Sequence, residues 1–315
     1  MLEISVIIPL LNKGSYIKRA IDSILTQEYQ NFEIIVVDGH STDQGPDIVM
    51  SIHDSRLKLI AQPTKGVSEA RNFGVEMSHG SLIAFLDADD EWLPNHLNTI
   101  IRLVQKFPQA GAYTTAYKIC NENGKLRWPK YRAIPSPPWE GVIPNYFLSA
   151  ARGEYPVWTS AVCIPKKIFI EMCGFPIGIW WGEDADLWGK IALRYPIAFS
   201  WEPGAIYHWD TQNRACCKPS LEQEPFVKTA RKIMDKDVIS GDFFPYLDEY
   251  VNKKEIYRAA CLIFCGFPEK AKSVLKNCKT KDFIVRKTLL RVLSNLPSPV
   301  SHLLLKKVLN LSEQR

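Results

Sequence analysis

The sequence predicts an α/β protein: a doubly wound, mostly parallel sheet flanked by helices over residues 1–219, followed by a helical extension over residues 220–315. Three observations predict it. Short Val/Ile-rich runs alternate with helix-period segments between residues 4 and 87 in the order β-α-β-α-β-α-β. The strand-like runs are apolar on both faces, as in a sheet covered on both sides. Two of them deliver an aspartate, Asp38 and Asp87, at the strand end where open α/β sheets bind ligands.

In order, Glu3-Ile4-Ser5-Val6-Ile7-Ile8-Pro9 is a β-rich run ended by proline, and a helix from about Ser15 carries Ile17, Ala20, Ile21, Ile24 and Leu25 on one face. Phe32-Glu33-Ile34-Ile35-Val36-Val37 leads to Asp38 and the turn Gly39-His40-Ser41-Thr42-Asp43. Pro46 suits the first turn of a helix bearing Ile48, Val49 and Ile52. A short strand at 57–61 precedes Gly66 and a helix expected to turn Val67, Ala70, Gly74 and Met77 inward, with Arg71 and Asn72 on another face.

The stretch 81–87 closes this half as a buried strand, and Asp87, Asp89 and Asp90 follow one another at its end. Carboxylates this close repel unless a cation sits between them. Oxygen ligands suit Mg²⁺ or Mn²⁺, which usually bridge to phosphates. The alternative is an acidic loop in which Asp90 or Glu91 caps a helix near Trp92-Leu93-Pro94. No GxGxxG or Walker pattern is present, which disfavours a dinucleotide or P-loop site. An anionic ligand would instead need a cation and Arg71.

Beyond a helix at 95–106 and a β-like run at 110–119, residues 128–155 read as a loop rich in proline and tryptophan. Eight of the nine tryptophans lie between positions 128 and 209. Aromatic faces stack on sugar C–H faces, so the cluster suits an acceptor groove, with core packing expected for about half of them. Gly182-Glu183-Asp184-Ala185-Asp186-Leu187-Trp188 opens a helix; the helix dipole favours acids in a first turn, so capping alone explains one or two. Ile206-Tyr207-His208-Trp209-Asp210 reads as a strand end with His208 a candidate ligand. From Ser220 the pattern becomes helical, at 250–264, 268–278, 282–294 and 300–311.

Composition bounds the function. Apolar content of 46% and charged content of 23% suit a globular chain with a sizeable core. Residues 220–315 hold 18 Lys+Arg against 11 Asp+Glu, while residues 1–219 hold 21 against 23. The basic third fits an anionic membrane surface or an acidic partner, and solvated helix faces explain it equally well. No basic leader with a cleavage site opens the sequence and no apolar run reaches the ~18 residues of a membrane span, so a cytoplasmic location is expected. The eight cysteines form no CxxC pair or zinc spacing and are expected to be reduced, mostly buried thiols.

Five segments, in order, resemble glycosyltransferase family 2 with its GT-A fold: residues 6–13, 33–43, 66–74, 80–90 and 182–188. The resemblance covers roughly residues 1–215. It implies a nucleotide-sugar-binding half at 1–108, an acceptor-binding half at 109–219 and inverting sugar transfer in cell-surface polysaccharide synthesis. Pro9, Asn12, Asp38 and Arg71 would surround the nucleoside, Asp87 would lie near the ribose and the metal shell, and Asp89 would bind Mn²⁺ or Mg²⁺. Asp184, with Glu183 beside it, would be the catalytic base, and His208 a further metal or diphosphate contact. Trp180 and Trp181 would hold the acceptor, a glycan or lipid-linked glycan. Peripheral contact with the inner face of the plasma membrane through the basic region is expected, and no nucleic acid. Leu11 and Gly39 depart from the family's aromatic and second aspartate, which weakens any inference that the base is uracil. The alternatives are a sugar-nucleotide nucleotidyltransferase, whose glycine-rich basic loop is missing after the first strand, and a non-catalytic carbohydrate-binding protein, against which the intact acids argue.

Overall fold

The first unit of the chain is built on β1 (Ile4–Leu10), β2 (Phe32–Asp38), β3 (Leu57–Ala61) and β4 (Leu82–Phe85), with α1 (Gly14–Leu25), α2 (Gly45–Met50) and α3 (Val67–Glu76) between them. Then come β5 (Glu91–Trp92), α4 (His96–Lys106), β6 (Ala112–Cys120), β7 (Leu126–Arg127), β8 (Glu140–Val142) and α5 (Tyr146–Arg152). They are followed by β9 (Val162–Pro165), α6 (Lys166–Glu171), α7 (Glu183–Ala192) and β10 (Ile197–His208). This computed structural model describes residues 3–211, 220–234 and 244–309. It divides into two units, 1–212 and 213–315.

The main path of the sheet runs β3-β2-β1-β4-β9-β6-β10-β5. It is parallel from β3 to β4 and again between β6 and β10, and β9 runs against both neighbours to join the two blocks. Ile4, Ile7, Ile8, Ile34, Val36, Ile83 and Phe85 are all buried, because helices cover this sheet on both faces. Register pairs Leu10 with Asp38, so the C-terminal ends of β1 and β2 finish level, and the acidic segment after β4 emerges beside them.

The helix α3 corrects the expected facing. Ala70 and Gly74 do point inward, but Met77 is 46% exposed and Arg71 only 4%. Gly74 lets α3 approach the sheet: a Cβ there would lie 2.4 Å from Cγ2 of Ile7. The proline-rich stretch expected to be loop contains β8 and all of α5.

The second unit consists of α8 (Pro225–Met234), α9 (Phe244–Phe264), α10 (Pro268–Asn277), α11 (Ile284–Leu293) and α12 (Ser298–Leu309). Ile256, Ala260 and Ile263 of α9 pack with Leu275, Leu290, Leu293 and Leu305. Burying each of these isoleucine and leucine side chains contributes about 1.5–3 kcal/mol. The Lys254–Glu224 pair at 2.7 Å is almost wholly enclosed, an ion pair that breaking one partner would leave as a buried charge. Among the described residues, no helix is long and apolar enough to cross a membrane.

Candidate active site

The loops after β1 and β2 tie each other down through side-chain-to-backbone bonds. Asn12, in the left-handed region at φ 52°, donates its backbone N–H to Ser41 Oγ at 3.0 Å, and its side-chain oxygen accepts the Thr42 N–H at 2.8 Å. Asp38 accepts the Ser41 N–H at 3.1 Å, the Asx pattern of a tight turn. Pro9 sits one residue inside this edge, paired with Val37. Pro9, Asn12 and Asp38 thus lie along one rim of the sheet edge.

The acidic segment 87–91 is held from several directions. Ser160 Oγ accepts the Asp87 N–H at 3.1 Å and donates to Asp90 Oδ2 at 2.6 Å. Asp90 also accepts from Trp158 Nε1 at 3.3 Å and from the His208 N–H at 3.1 Å. Burial, with Asp89 and Asp87 beside it, pushes the Asp90 carboxyl well above the ordinary aspartate range. Asp90 is therefore a scaffold for the loop. Asp89 carries Lys13 Nζ at 2.6 Å and the Thr211 hydroxyl at 3.0 Å, while Arg19 donates to its carbonyl.

Arg71 joins this cluster to the second one. Its Nη2 lies 2.7 Å from Asp87 Oδ1 and its Nη1 3.0 Å from Glu183 Oε1. The guanidinium thus bridges the end of β4 and the first turn of α7, two acid clusters nearly a hundred positions apart. Burial and the neighbouring Asp184 push Glu183 up to about 7, against the opposing pull of Arg71. Asp184 is half-buried, and its Oδ1 accepts the Ala185 N–H at 2.7 Å. Gly182 opens α7 at φ 74°, a left-handed turn that suits glycine and aims Glu183 and Asp184 back at Arg71.

The rest of α3 fixes the approach to α7. Asn72 bonds Phe175 twice, donating to its carbonyl at 2.8 Å and accepting its N–H at 2.9 Å. Glu69 accepts the Gly178 N–H at 2.7 Å, and Ser68 donates to the Ile179 carbonyl at 3.2 Å. Trp180 and Trp181 follow at once, with ring centres 6.0 Å apart and Trp180 46% exposed. Of the nine tryptophans, Trp92 and Trp188 are fully buried and Trp158 and Trp209 pack, partly buried, against the core, while the others are more open. The rings also pack against other aromatics: Trp158 meets Tyr207 at 4.2 Å and Trp128 meets Trp201 at 6.4 Å.

The imidazole of His208 is engaged on both ring nitrogens. Its Nε2 lies 3.0 Å from Glu91 and its Nδ1 3.1 Å from Asp210, and only its backbone carbonyl connects, through Thr211, to Asp89.

The glycosyl transferase family 2 profile matches residues 5–161, the span that carries β1 to the start of the β9 region. Through this domain the chain belongs to glycosyltransferase family 2. Its arrangement is the GT-A fold. The family 2 chain is 32% identical over 197 residues to an uncharacterized glycosyltransferase of Rickettsia conorii, covering 62% of this chain and 31% of that protein. It is 37% identical over 121 residues to the Escherichia coli UDP-Glc:alpha-D-GlcNAc-diphosphoundecaprenol beta-1,3-glucosyltransferase WfgD, covering 38% and 47%. The chain spans 31%, 26% and 31% of the length of three Rickettsia relatives it matches. Staphylococcus aureus TarS, in complex with UDP-GlcNAc, superposes with a TM-score of 0.65 at 17% identity, covering 99% of this chain and 92% of that one.

Sequence reasoning missed Lys13, Arg19, Ser160 and Thr211. Lys13 stands inside the first family segment, where a cation next to an acid-rich edge was a usable signal; Ser160 and Thr211 gave none.

Proposed function

We propose that this family 2 chain is an inverting glycosyltransferase that moves a sugar from a nucleotide-diphosphate sugar to a glycan or lipid-linked glycan acceptor in cell-surface polysaccharide synthesis. The observation that carries it is the Arg71 guanidinium held between Asp87 and Glu183, which gathers a donor-side and an acceptor-side acid cluster at one cleft. UDP-GlcNAc bound to TarS and the lipid-linked acceptor in the name of WfgD support the two substrate classes.

In this reading Pro9, Asn12 and Asp38 border the nucleoside, and Arg71 aligns Asp87 at its edge. Asp87 and Asp89 are the ligands for Mn²⁺ or Mg²⁺. The donor set fits: Asp87 and Asp89 present partly exposed carboxylates on one loop, and Lys13 already answers the charge of Asp89. A bound divalent ion supplies charge stabilisation of the departing diphosphate on the order of several kcal/mol. His208 would reach such an ion only by leaving Glu91 and Asp210.

Asp184 is the base, taking the proton from the acceptor hydroxyl, with Glu183 beside it and Trp180 and Trp181 as the platform for the acceptor sugar. Replacing Asp184 by Asn should lower transfer by about 10²–10⁴-fold while donor binding stays nearly unchanged. Equal loss of both removes the base assignment.

The basic second unit supports peripheral contact with an anionic membrane at the cytoplasmic face. On α11, Val285 (78% exposed) and Val292 (56%) stand among exposed Arg286 and Arg291. Each cation near such a surface is worth about 1 kcal/mol. Flotation with phosphatidylserine vesicles should fall steeply as salt rises; binding indifferent to ionic strength would leave the helix as ordinary surface.

A further inference from the structure

His208 and Cys120 close the parallel pair β10 and β6 as register partners, and the Trp209 N–H donates to the Cys120 carbonyl at 2.8 Å. From these joined strand ends three donors of different chemistry converge. Cys120 Sγ, an imidazole nitrogen of His208 and a carboxylate oxygen of Asp210 all lie within 4.8 Å of one another. Ligands around one tetrahedral ion, with bonds of about 2.0–2.3 Å, stand about 3.3–3.6 Å apart. The His208 Nδ1–Asp210 Oδ1 edge, at 3.1 Å, is already close to that spacing. Closing the rest takes a shift on the order of an ångström, within reach of a cysteine rotamer and an exposed aspartate.

The second side of the imidazole is equally organised. Its Nε2 faces Glu91 Oε1 at 3.0 Å. A carboxylate behind a ligating histidine fixes the tautomer and turns the other nitrogen toward the ion. Cys120 and His208 are both 7% exposed and Asp210 is open to solvent, which leaves an entry side and a free coordination position.

We propose that Cys120, His208 and Asp210 form a binding site for a borderline transition-metal ion of the Zn²⁺ class, with Glu91 as the positioning residue behind the imidazole. Thiolate and imidazole select such ions, whereas the oxygen-only set of Asp87 and Asp89 selects Mg²⁺ or Mn²⁺. The two sets have different partners, Arg71, Lys13 and Thr211 on one side and Glu91 on the other. The inference goes beyond the transferase reading and does not depend on it. The distance between Cys120 and His208 along the chain hides the site from any spacing rule.

Cobalt spectroscopy on the metal-stripped, reduced full chain tests it. Co²⁺ bound to a thiolate gives an intense near-ultraviolet charge-transfer band that oxygen ligands do not. We expect the band to saturate at one equivalent, to be bleached by one equivalent of Zn²⁺, and to ignore about a hundredfold excess of Mg²⁺. Cys120→Ser should abolish it, and Asp210→Asn, at an exposed position, should weaken Co²⁺ binding at least about tenfold. The double replacement Cys216→Ser and Cys217→Ser should keep it. A wild-type protein without the band, a band that survives Cys120→Ser, or one displaced by Mg²⁺ overturns the proposal.

Discussion

Arg71→Met removes a buried cation shared by the buried Glu183 and the partly exposed Asp87. The Arg71 side chain is 5% exposed, with partners at 2.7 and 3.0 Å. Taking one partner from a buried ion pair costs about 3–5 kcal/mol, because the remaining charge is left desolvated. Protonation can relieve part of that cost. Glu183 sits at about 7 with Arg71 present and opposing the rise, so without Arg71 it moves higher still. A carboxyl whose folded pKa lies above its unfolded value binds more protons when folded, so the stability it adds is present at low pH and lost as pH rises through the folded value. The deficit of the variant should therefore be larger near pH 8 than near pH 5.5, by about 1 kcal/mol or more. Urea unfolding followed by tryptophan fluorescence reads this directly, since all nine tryptophans lie within the first unit. A loss under about 1 kcal/mol near pH 8, or a deficit that fails to shrink on acidification, refutes the account of Arg71 as a shared buried counter-ion.

Lys13 and Glu183 yield further expectations. With Lys13→Met, the Asp89 carboxylate no longer holds an ammonium at 2.6 Å, so Mn²⁺ alone should bind about three- to tenfold more tightly by calorimetry; an unchanged Kd removes the idea that the two cations compete. The pH profile of kcat/KM for transfer should rise with a midpoint near 7, the range into which burial and Asp184 push Glu183. Glu183→Gln removes that titrating carboxyl, so the rising limb near 7 should be lost; a limb that stays in place detaches Glu183 from the titration.

The strands that could be read from sequence were those with apolar residues on both faces. β1, β2 and β4 announced themselves through Ile, Val and Phe runs, and the aspartates following them fell at the expected edge because parallel strands finish together. β5, β7, β8 and β9 were invisible because two to four residues carry too little periodicity. The face of α3 was misread for a different reason. Amphipathic reasoning sends apolar residues inward, yet Ser68, Glu69, Arg71 and Asn72 find polar partners at 175–183, more than a hundred residues away in all four cases and on no local pattern. Average tryptophan burial did not say which rings pack against the core, as Trp158 and Trp209 do, and which meet each other on a more open surface, as Trp128 and Trp201 do.

Those four α3 contacts make the helix a clamp between the halves of the first unit. Ser68, Glu69 and Asn72 hold backbone groups of the segment before α7, fixing where that helix starts, while Arg71 sets the charge balance between Asp87 and Glu183. The second task explains why position 71 is arginine. Its two carboxylates are met by separate nitrogens, Nη1 and Nη2, and a planar fork satisfies both from one rigid group. A lysine ammonium is a point charge on a shorter stem, and aimed at one carboxylate it abandons the other. The first turn of α7 and the acidic strand end are thus joined directly through one guanidinium, which is why the charge on one cluster cannot change without being felt by the other.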